Sequence, residues 1–438
     1  MAETVHIDSL SYGTAGVGRL ASGKTVFVEG SVPGDTVQIV LDDDGERLAR
    51  AHIENIVEPS PHRITPHCPL AGVCGGCPWA HVSYEQQLAS KRENLVNNLV
   101  RIAKIPAEEA EALTDACVPS KRQTGYRNKI EFAVGHDARG QLEVGFHANG
   151  SDSIVTTQSC PLAHSAIAKA PKAMRGALRY LNARNDLGLF RVGVRHSLRT
   201  KSLEVALWTT PGPAQRAQIA KVITDALHPT SIVRVLADEG AARKVKKVEV
   251  LAGEGSWTED LAGFRHRVSA PSFFQVNTAQ AEKLISLVME GIDAKPGMYV
   301  ADLYSGIGAF TLPLANAGCD VVAVESAASS IRDLRRSADH YQLPIEALGG
   351  DAARELPDLG ELDALVVDPP RAGLAKSVPQ SIAEADPTML AYVSCDPATL
   401  ARDIARLARF GYKPVRITPV DMFPQTYHVE TVCLMTRE

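Results

Sequence analysis

The chain predicts an α/β protein in three parts: a small β-barrel, a mixed α+β middle and a doubly wound parallel sheet at the carboxyl end. Three observations carry this. From residue 266 onward, apolar runs end in Gly, acid, Pro or Cys with helical stretches between them, as in Val321-Val-Ala-Val-Glu325, Ala364-Leu-Val-Val-Asp368 and Leu390-Ala-Tyr-Val-Ser-Cys395. Residues 4–58 are instead short strand-like runs parted by turns. Residues 120–265 return to alternating runs around one basic helical stretch at about 163–181. The units expected are 1–60, 61–265 and 266–438.

With 438 residues, 45% hydrophobic and 22% charged, the chain is long enough for several cores, and disorder is excluded. The Met1-Ala-Glu-Thr-Val-His6 start lacks a basic-then-apolar signal pattern, and no apolar run reaches bilayer length. A cytoplasmic monomer without a membrane partner is expected. Eight cysteines in such a chain point to metal or catalysis where they cluster. The net charge of −5 leaves no global basic footprint, but nine Lys or Arg against Asp186 alone lie between Lys169 and Lys201. That run, with Arg175, Arg179 and Arg195 in it, predicts a phosphate-tracking surface.

Taken in order, Val5-His-Ile, Gly16-Val-Gly-Arg-Leu20, Thr25-Val-Phe-Val28, Thr36 to Leu41 and Leu48 to Val57 are the strands of the small barrel. Cys68, Cys74 and Cys77 follow in a C-x5-C-x2-C array, with Cys160-Pro161 much later. Four thiolates suit either an iron–sulfur cubane or a tetrahedral zinc, and Gly75 and Gly76 let the backbone wrap between them. Ser83 to Lys104 has helical apolar spacing, with Ser83 and Gln86 placed as a capping box. Arg127 to Val134, Leu142 to Phe146, Leu203 to Trp208 and Ile232 to Leu236 then supply a mixed sheet.

The carboxyl-terminal unit carries the chemistry. Asp302-x-x-x-Gly306-x-Gly308 after a strand is a nucleotide-type loop, and Glu325 closing the next strand is placed to take ribose hydroxyls. Without a pyrophosphate fingerprint, the pair suits S-adenosylmethionine better than a dinucleotide. Asp368-Pro-Pro-Arg-Ala-Gly373 ends a later strand with a carboxylate suited to a polar ligand. Met389 to Val393 delivers Cys395 to the start of a helix capped by Asp396 and Pro397, which predicts a lowered thiol pKa and a reactive thiolate. Glu430 stands at the mouth of an apolar strand, where burial raises a carboxylate towards general-base behaviour. Ser272-Phe-Phe-Gln-Val-Asn277 sets two aromatics beside Gln275 and Asn277.

Tyr12-Gly-Thr-Ala-Gly-Val-Gly-Arg-Leu20 and Val26-Phe-Val-Glu-Gly-Ser-Val-Pro-Gly-Asp-Thr-Val37 resemble a TRAM domain, an OB-like barrel found on RNA-modifying enzymes. Ser394 to Asp403, Asp368 to Gly373, Phe274-Gln-Val-Asn277 and His428-Val-Glu430 together resemble the RNA uracil-5 methyltransferases over nearly the whole chain. The cysteine array is similar to that of the TRAM-bearing, iron–sulfur branch, best known from 23S ribosomal RNA methyltransferases. The resemblance implies a class I, Rossmann-like S-adenosylmethionine-dependent methyltransferase with an N-terminal OB-like barrel and a central α+β domain. It implies Cys395 as nucleophile, Glu430 as base, Gln275, Tyr304, Glu325 and Asp368 as methyl-donor contacts, and Cys68, Cys74, Cys77 and Cys160 as ligands of a [4Fe-4S] cluster. Phe273 is expected to support the base. Ser305 and Ala309 depart from the Cys and Asn common in relatives. The implied partner is RNA, 23S ribosomal RNA first, with the transfer-RNA T-loop or a catalytically inactive iron–sulfur RNA-binding protein as alternatives.

Overall fold

Alternating apolar and polar residues along Glu3–Leu10 and Thr25–Glu29 bury one side of each strand, and five such strands close into a barrel around Val5, Ile7, Val26, Val28, Val37 and Ile39. Neighbouring strands are antiparallel except Thr25–Glu29 beside Leu48–Glu58, and closure leaves no free edge. The computed structural model describes residues 3–183, 186–240 and 244–437.

Trp79 joins the barrel to the rest. It is fully buried with Leu10, Val32 and Val82, and its indole N–H donates to the Gly13 carbonyl at 2.9 Å. The helix that follows runs Tyr84–Asn98, with the Ser83 hydroxyl accepting from the Gln86 N–H at 3.4 Å. Only half of the expected capping box forms, because the Gln86 amide turns forward to Ser90 Oγ at 3.0 Å. The expected single helix to Lys104 ends instead in a π-helical turn, Leu99–Ala103, before Lys104 adopts φ +62°. On its inner face, Lys91 and Asp421 make a fully buried ion pair at 2.5 Å, and the Tyr84 hydroxyl donates to Asp421 at 2.7 Å. Gln87 and Gln425 exchange hydrogen bonds beside them. These contacts fix the segment leading into Glu430.

The central sheet has seven strands, with Leu189–His196 between Lys129–His136 and Leu203–Thr209, and helix Ala170–Asn182 packed on it. This placement removes Arg195 from the expected RNA-facing basic surface and leaves Lys169, Lys172, Arg179, Arg199 and Lys201 exposed. Arg195 lies mid-strand, is 3% exposed, and donates to the carbonyls of Ser269, Ala270 and Ser272. Arg191 pairs with Glu131, Arg199 with Glu282, Arg179 donates to Leu142 O at 2.8 Å and Arg175 to Thr157 O at 3.2 Å. Arg195 is an internal fastener, and Arg175, Arg179, Arg191 and Arg199 each also hold a neighbouring carbonyl or carboxylate. The even spacing of the run fits a solvated face equally well, and only the sheet shows that Arg191 and Arg195 ride a strand.

The third unit is a seven-stranded sheet in the order Ile345–Leu348, Asp320–Val324, Tyr299–Leu303, Ala364–Val367, Met389–Ser394, Glu430–Arg437, Tyr412–Val420. The first five are parallel, and Glu430–Arg437 inserts antiparallel between its two neighbours. Their continuous burial, as in Ala364–Val367, reflects helices on both faces.

Candidate active site

Register brings the two halves of the site together. Ser394 stands opposite Thr431 in the antiparallel pair, so the next residue on each strand, Cys395 and Glu430, meet at the carboxyl edge of the parallel strands. Val367 lies beside Tyr392 on the other side, which places Asp368 at the same edge. Cys395 is half-buried and Glu430 is 4% exposed.

The helix Pro397–Leu407 begins as expected, with Asp396 accepting from the N–H groups of Ala398 and Thr399 at 3.0 and 2.8 Å. The thiol, however, is not lowered. Burial first, then the charges of Glu430 and Asp368, push Cys395 up to about 12, and Arg371 opposes them. The helix-end effect of a fraction of a unit charge is outweighed by burial and by the nearby carboxylates. Glu430 is raised well above the ordinary carboxylate value by burial and by Asp368, again opposed by Arg371. Arg371 is thus the positive charge of the site, which the sequence reading left without a role. Its signal was its place three residues after Asp368 in Asp-Pro-Pro-Arg.

The loop carrying Asp368 and Arg371 is tied to the helix that follows Cys395. Asp403, fully buried, accepts from the Leu374 N–H and the Tyr392 hydroxyl at 2.8 and 2.9 Å, and Arg402 donates to Ala372 O at 2.7 Å. Gly373 has φ +71°, and a side chain there would meet Arg402 and Asp403 at 2.4 Å.

On the opposite side of the edge, the Gly306 N–H donates to Glu325 at 2.9 Å, while the space over Gly306 is open. Tyr304 takes φ +63° to turn the chain here. Burial pushes Asp302 and Asp368 each up to about 7. Gln275 Oε1 and Asp302 Oδ1 are buried without hydrogen-bond partners. Orphaned buried acceptors and an open glycine turn fit a ligand bearing hydroxyl and amino donors. The Gln275 loop is itself anchored: Arg195 holds three of its carbonyls, Asp333 takes the Ser269 N–H and the Ser272 hydroxyl, and Asn128 donates to Gln275 O at 2.9 Å. Phe273 projects from it, 67% exposed. Ser305 is buried with its N–H on Val324 O at 3.1 Å.

The four array cysteines are free, and each pair is near enough for charge on one to bear on another. Burial and then Cys160 push Cys77 up to about 12, with half-buried Arg127 opposing. The Gly75 N–H on His147 O at 3.0 Å and the Asn149 N–H on Val73 O at 2.9 Å dock the array loop on the central sheet. Among the described residues, no three His, Cys, Asp or Glu side chains already stand in a metal-holding arrangement. Four unpaired thiols fit a thiophilic metal group in chemistry. No described helix is long and apolar enough to cross a membrane.

Strand order, barrel and acid-tipped glycine turn define an S-adenosylmethionine-dependent methyltransferase fold with an N-terminal TRAM barrel. The chain belongs to the tRNA (uracil-5-)-methyltransferase family, whose model matches residues 83–340 and 357–438, and the TRAM model matches residues 3–53. It is 37% identical to an uncharacterized RNA methyltransferase of Gloeobacter violaceus, over 99% of this chain and 96% of that one. A Thermotoga maritima relative, also described as an uncharacterized RNA methyltransferase, is 31% identical over 100% and 99% of the two chains. The fold is shared with Pyrococcus abyssi tRNA (uracil-54, C5)-methyltransferase, solved with S-adenosyl-L-homocysteine, at a TM-score of 0.74 and 24% identity, covering 99% of each chain.

Proposed function

We propose that this protein methylates C5 of a uridine in RNA. The observation that carries this reading is the strand register that sets Cys395 beside Glu430 in a unit that also holds the orphaned acceptors of Gln275 and Asp302. Gln275, Tyr304, Glu325 and Asp368 are the residues that would hold S-adenosylmethionine. When bound, that group supplies a sulfonium methyl to C5 and leaves as S-adenosylhomocysteine.

Uracil C5 is a weak nucleophile, and Cys395 supplies what it lacks. Its thiolate adds to C6, and the electron pair of the C5–C6 bond passes into an enolate. After methylation, Glu430 takes the C5 proton. The electrons of that C–H bond re-form the C5–C6 double bond as the C6–sulfur bond breaks and the thiolate is released. The base must leave its stack to reach the edge, and exposed Phe273 on its anchored loop is suited to stack against what remains. A cleft of about 770 Å³ between the barrel, the array loop and the central sheet, with Tyr427 in its wall, supplies an approach for single-stranded RNA.

The proposed target is a uridine of 23S ribosomal RNA, on the strength of the TRAM barrel combined with the cysteine array. A transfer-RNA T-loop uridine is the second reading, favoured by the full-length fold likeness to a tRNA (uracil-54, C5)-methyltransferase. Cys68, Cys74, Cys77 and Cys160 would hold a [4Fe-4S] cluster that staples the array to the sheet. Mapping 5-methyluridine in RNA from cells with and without the protein tests the activity and chooses the target. Loss of no 5-methyluridine would refute it and favour the catalytically inactive RNA-binding reading. Anaerobically purified protein should be brown, with iron and sulfide in equal amounts; one zinc in colourless protein would refute the cluster.

A further inference from the structure

Tyr12 belongs to the barrel by chain position but to the active site by geometry. It sits in the turn between strands Glu3–Leu10 and Ala15–Arg19, and its hydroxyl donates to the main-chain carbonyl of Cys395 at 3.1 Å. The two residues are 383 positions apart. That carbonyl lies just before the Asp396 N-cap, outside the hydrogen bonds of the helix, whose first carbonyl is that of Asp396 receiving the Leu400 N–H at 3.0 Å. The phenol therefore satisfies a carbonyl that the helix leaves over.

The ring is held on its other sides. It meets Tyr427 edge-on at 5.3 Å and His428 at 6.4 Å between centroids, two residues of the segment that ends at Glu430. The Trp79 indole bonds the next carbonyl, Gly13 O, so the turn is pinned from behind. Burial, then the charges of Asp396 and Cys395, keep the phenol protonated far above neutral pH, and so a donor.

Resting on the function proposed above, we propose that Tyr12 is a positioning residue for the nucleophile, making the thiol's geometry depend on the docked barrel. Rotation of the Cys395 peptide would swing the thiol away from C6, and the Tyr12 hydroxyl restrains that rotation from a separate folding unit. The barrel then contributes to the chemical step as well as to RNA binding.

The test is single-turnover adduct formation with a transcript carrying 5-fluorouridine at the mapped position, in the presence of S-adenosylmethionine. Tyr12→Phe removes the hydroxyl but keeps the ring on Tyr427. At saturating RNA it should form the denaturation-resistant adduct about tenfold more slowly, as loss of one neutral hydrogen bond in the transition state predicts. Its RNA Kd should stay within about twofold of wild type, since no phosphate contact is removed. Ser11→Ala, which removes the hydroxyl bond to Ala15 O in the same turn, controls for loosening of the barrel and should keep the wild-type adduct rate. Equal rates for Tyr12→Phe and wild type overturn this inference alone, as does a weakened Kd with an unchanged rate, or an equal slowing by Ser11→Ala. A wild-type protein that forms no adduct overturns the proposed function as well.

Discussion

Two clusters of charge in this molecule sit on sheets and are used in opposite ways. In the central sheet, Arg191, Glu131 and Lys129 neutralise one another across neighbouring strands, and Arg195 is spent on three carbonyls with Glu204 at 4.0 Å. Glu131 is accordingly held down to about 2, by Lys129 and Arg191 against the opposing effect of burial. At the carboxyl edge of the other sheet, Cys395 and Glu430 are pushed up by burial and by neighbouring carboxylates with Arg371 as counter-charge, and Asp368 by burial and Asp302. Arg195 and Glu204, shut off from water within the sheet, must be satisfied inside the protein, and the partly exposed Lys129, Glu131 and Arg191 pair beside them. Charges just past strand ends face space that a ligand can fill, and their perturbed protonation is available to a reaction.

The largest expected effect at the edge is loss of the proposed nucleophile: Cys395→Ala should form no RNA adduct and transfer no methyl group. Residual methylation at the wild-type rate would show that the cluster at the edge is not catalytic. Glu430→Gln should fail later, releasing product about 10²–10⁴-fold more slowly and accumulating a methylated protein–RNA band in denaturing gels. Absence of that band would remove Glu430 from the proton step.

In the central sheet the expected effect is on stability. Arg195→Met leaves Glu204 and the Ser272 loop without their buried cation and should cost about 3–5 kcal/mol in denaturant titration. The slope of log Kd for RNA against log salt should not change, because Arg195 reaches no solvent. A flattened slope with intact stability would restore it to an RNA-facing role. Lys169→Gln with Lys172→Gln, both exposed, is the matching test of what footprint survives, with an expected slope change of about 1–2.

A smaller effect separates the two regions by pH. Cys395 is a protonated thiol at neutral pH, so the thiolate fraction, and with it the adduct rate, should rise about tenfold per unit from pH 6 to 9. Arg371→Gln removes the charge that opposes the rise in thiol pKa and should slow adduct formation by about tenfold at pH 8. A rate flat in pH would mean that thiolate formation does not limit the reaction.

The sequence by itself determined the local grammar. The barrel strands, the strand-to-helix turn bearing Cys395, the Asp396 cap, the glycine turn answered by Glu325 and the Cys68, Cys74 and Cys77 spacing are all short-range patterns, set by side-chain periodicity, capping and turn chemistry. Contacts between distant segments were decided by packing. Cys395 faces Glu430 only because Ser394 pairs with Thr431, and a slip of one residue would turn Glu430 to the other face. Arg195 reads as a surface cation until its strand is placed between two others. The thiol was expected to fall in pKa from its helix start and rises instead, because burial and the carboxylates of other strands act through space. Tyr12 carries no signal for its place beside Cys395, since nothing local specifies a bond across 383 residues. Sequence periodicity encodes what a backbone does within a few residues, whereas desolvation and Coulomb forces depend on distances that exist only once the sheets have assembled.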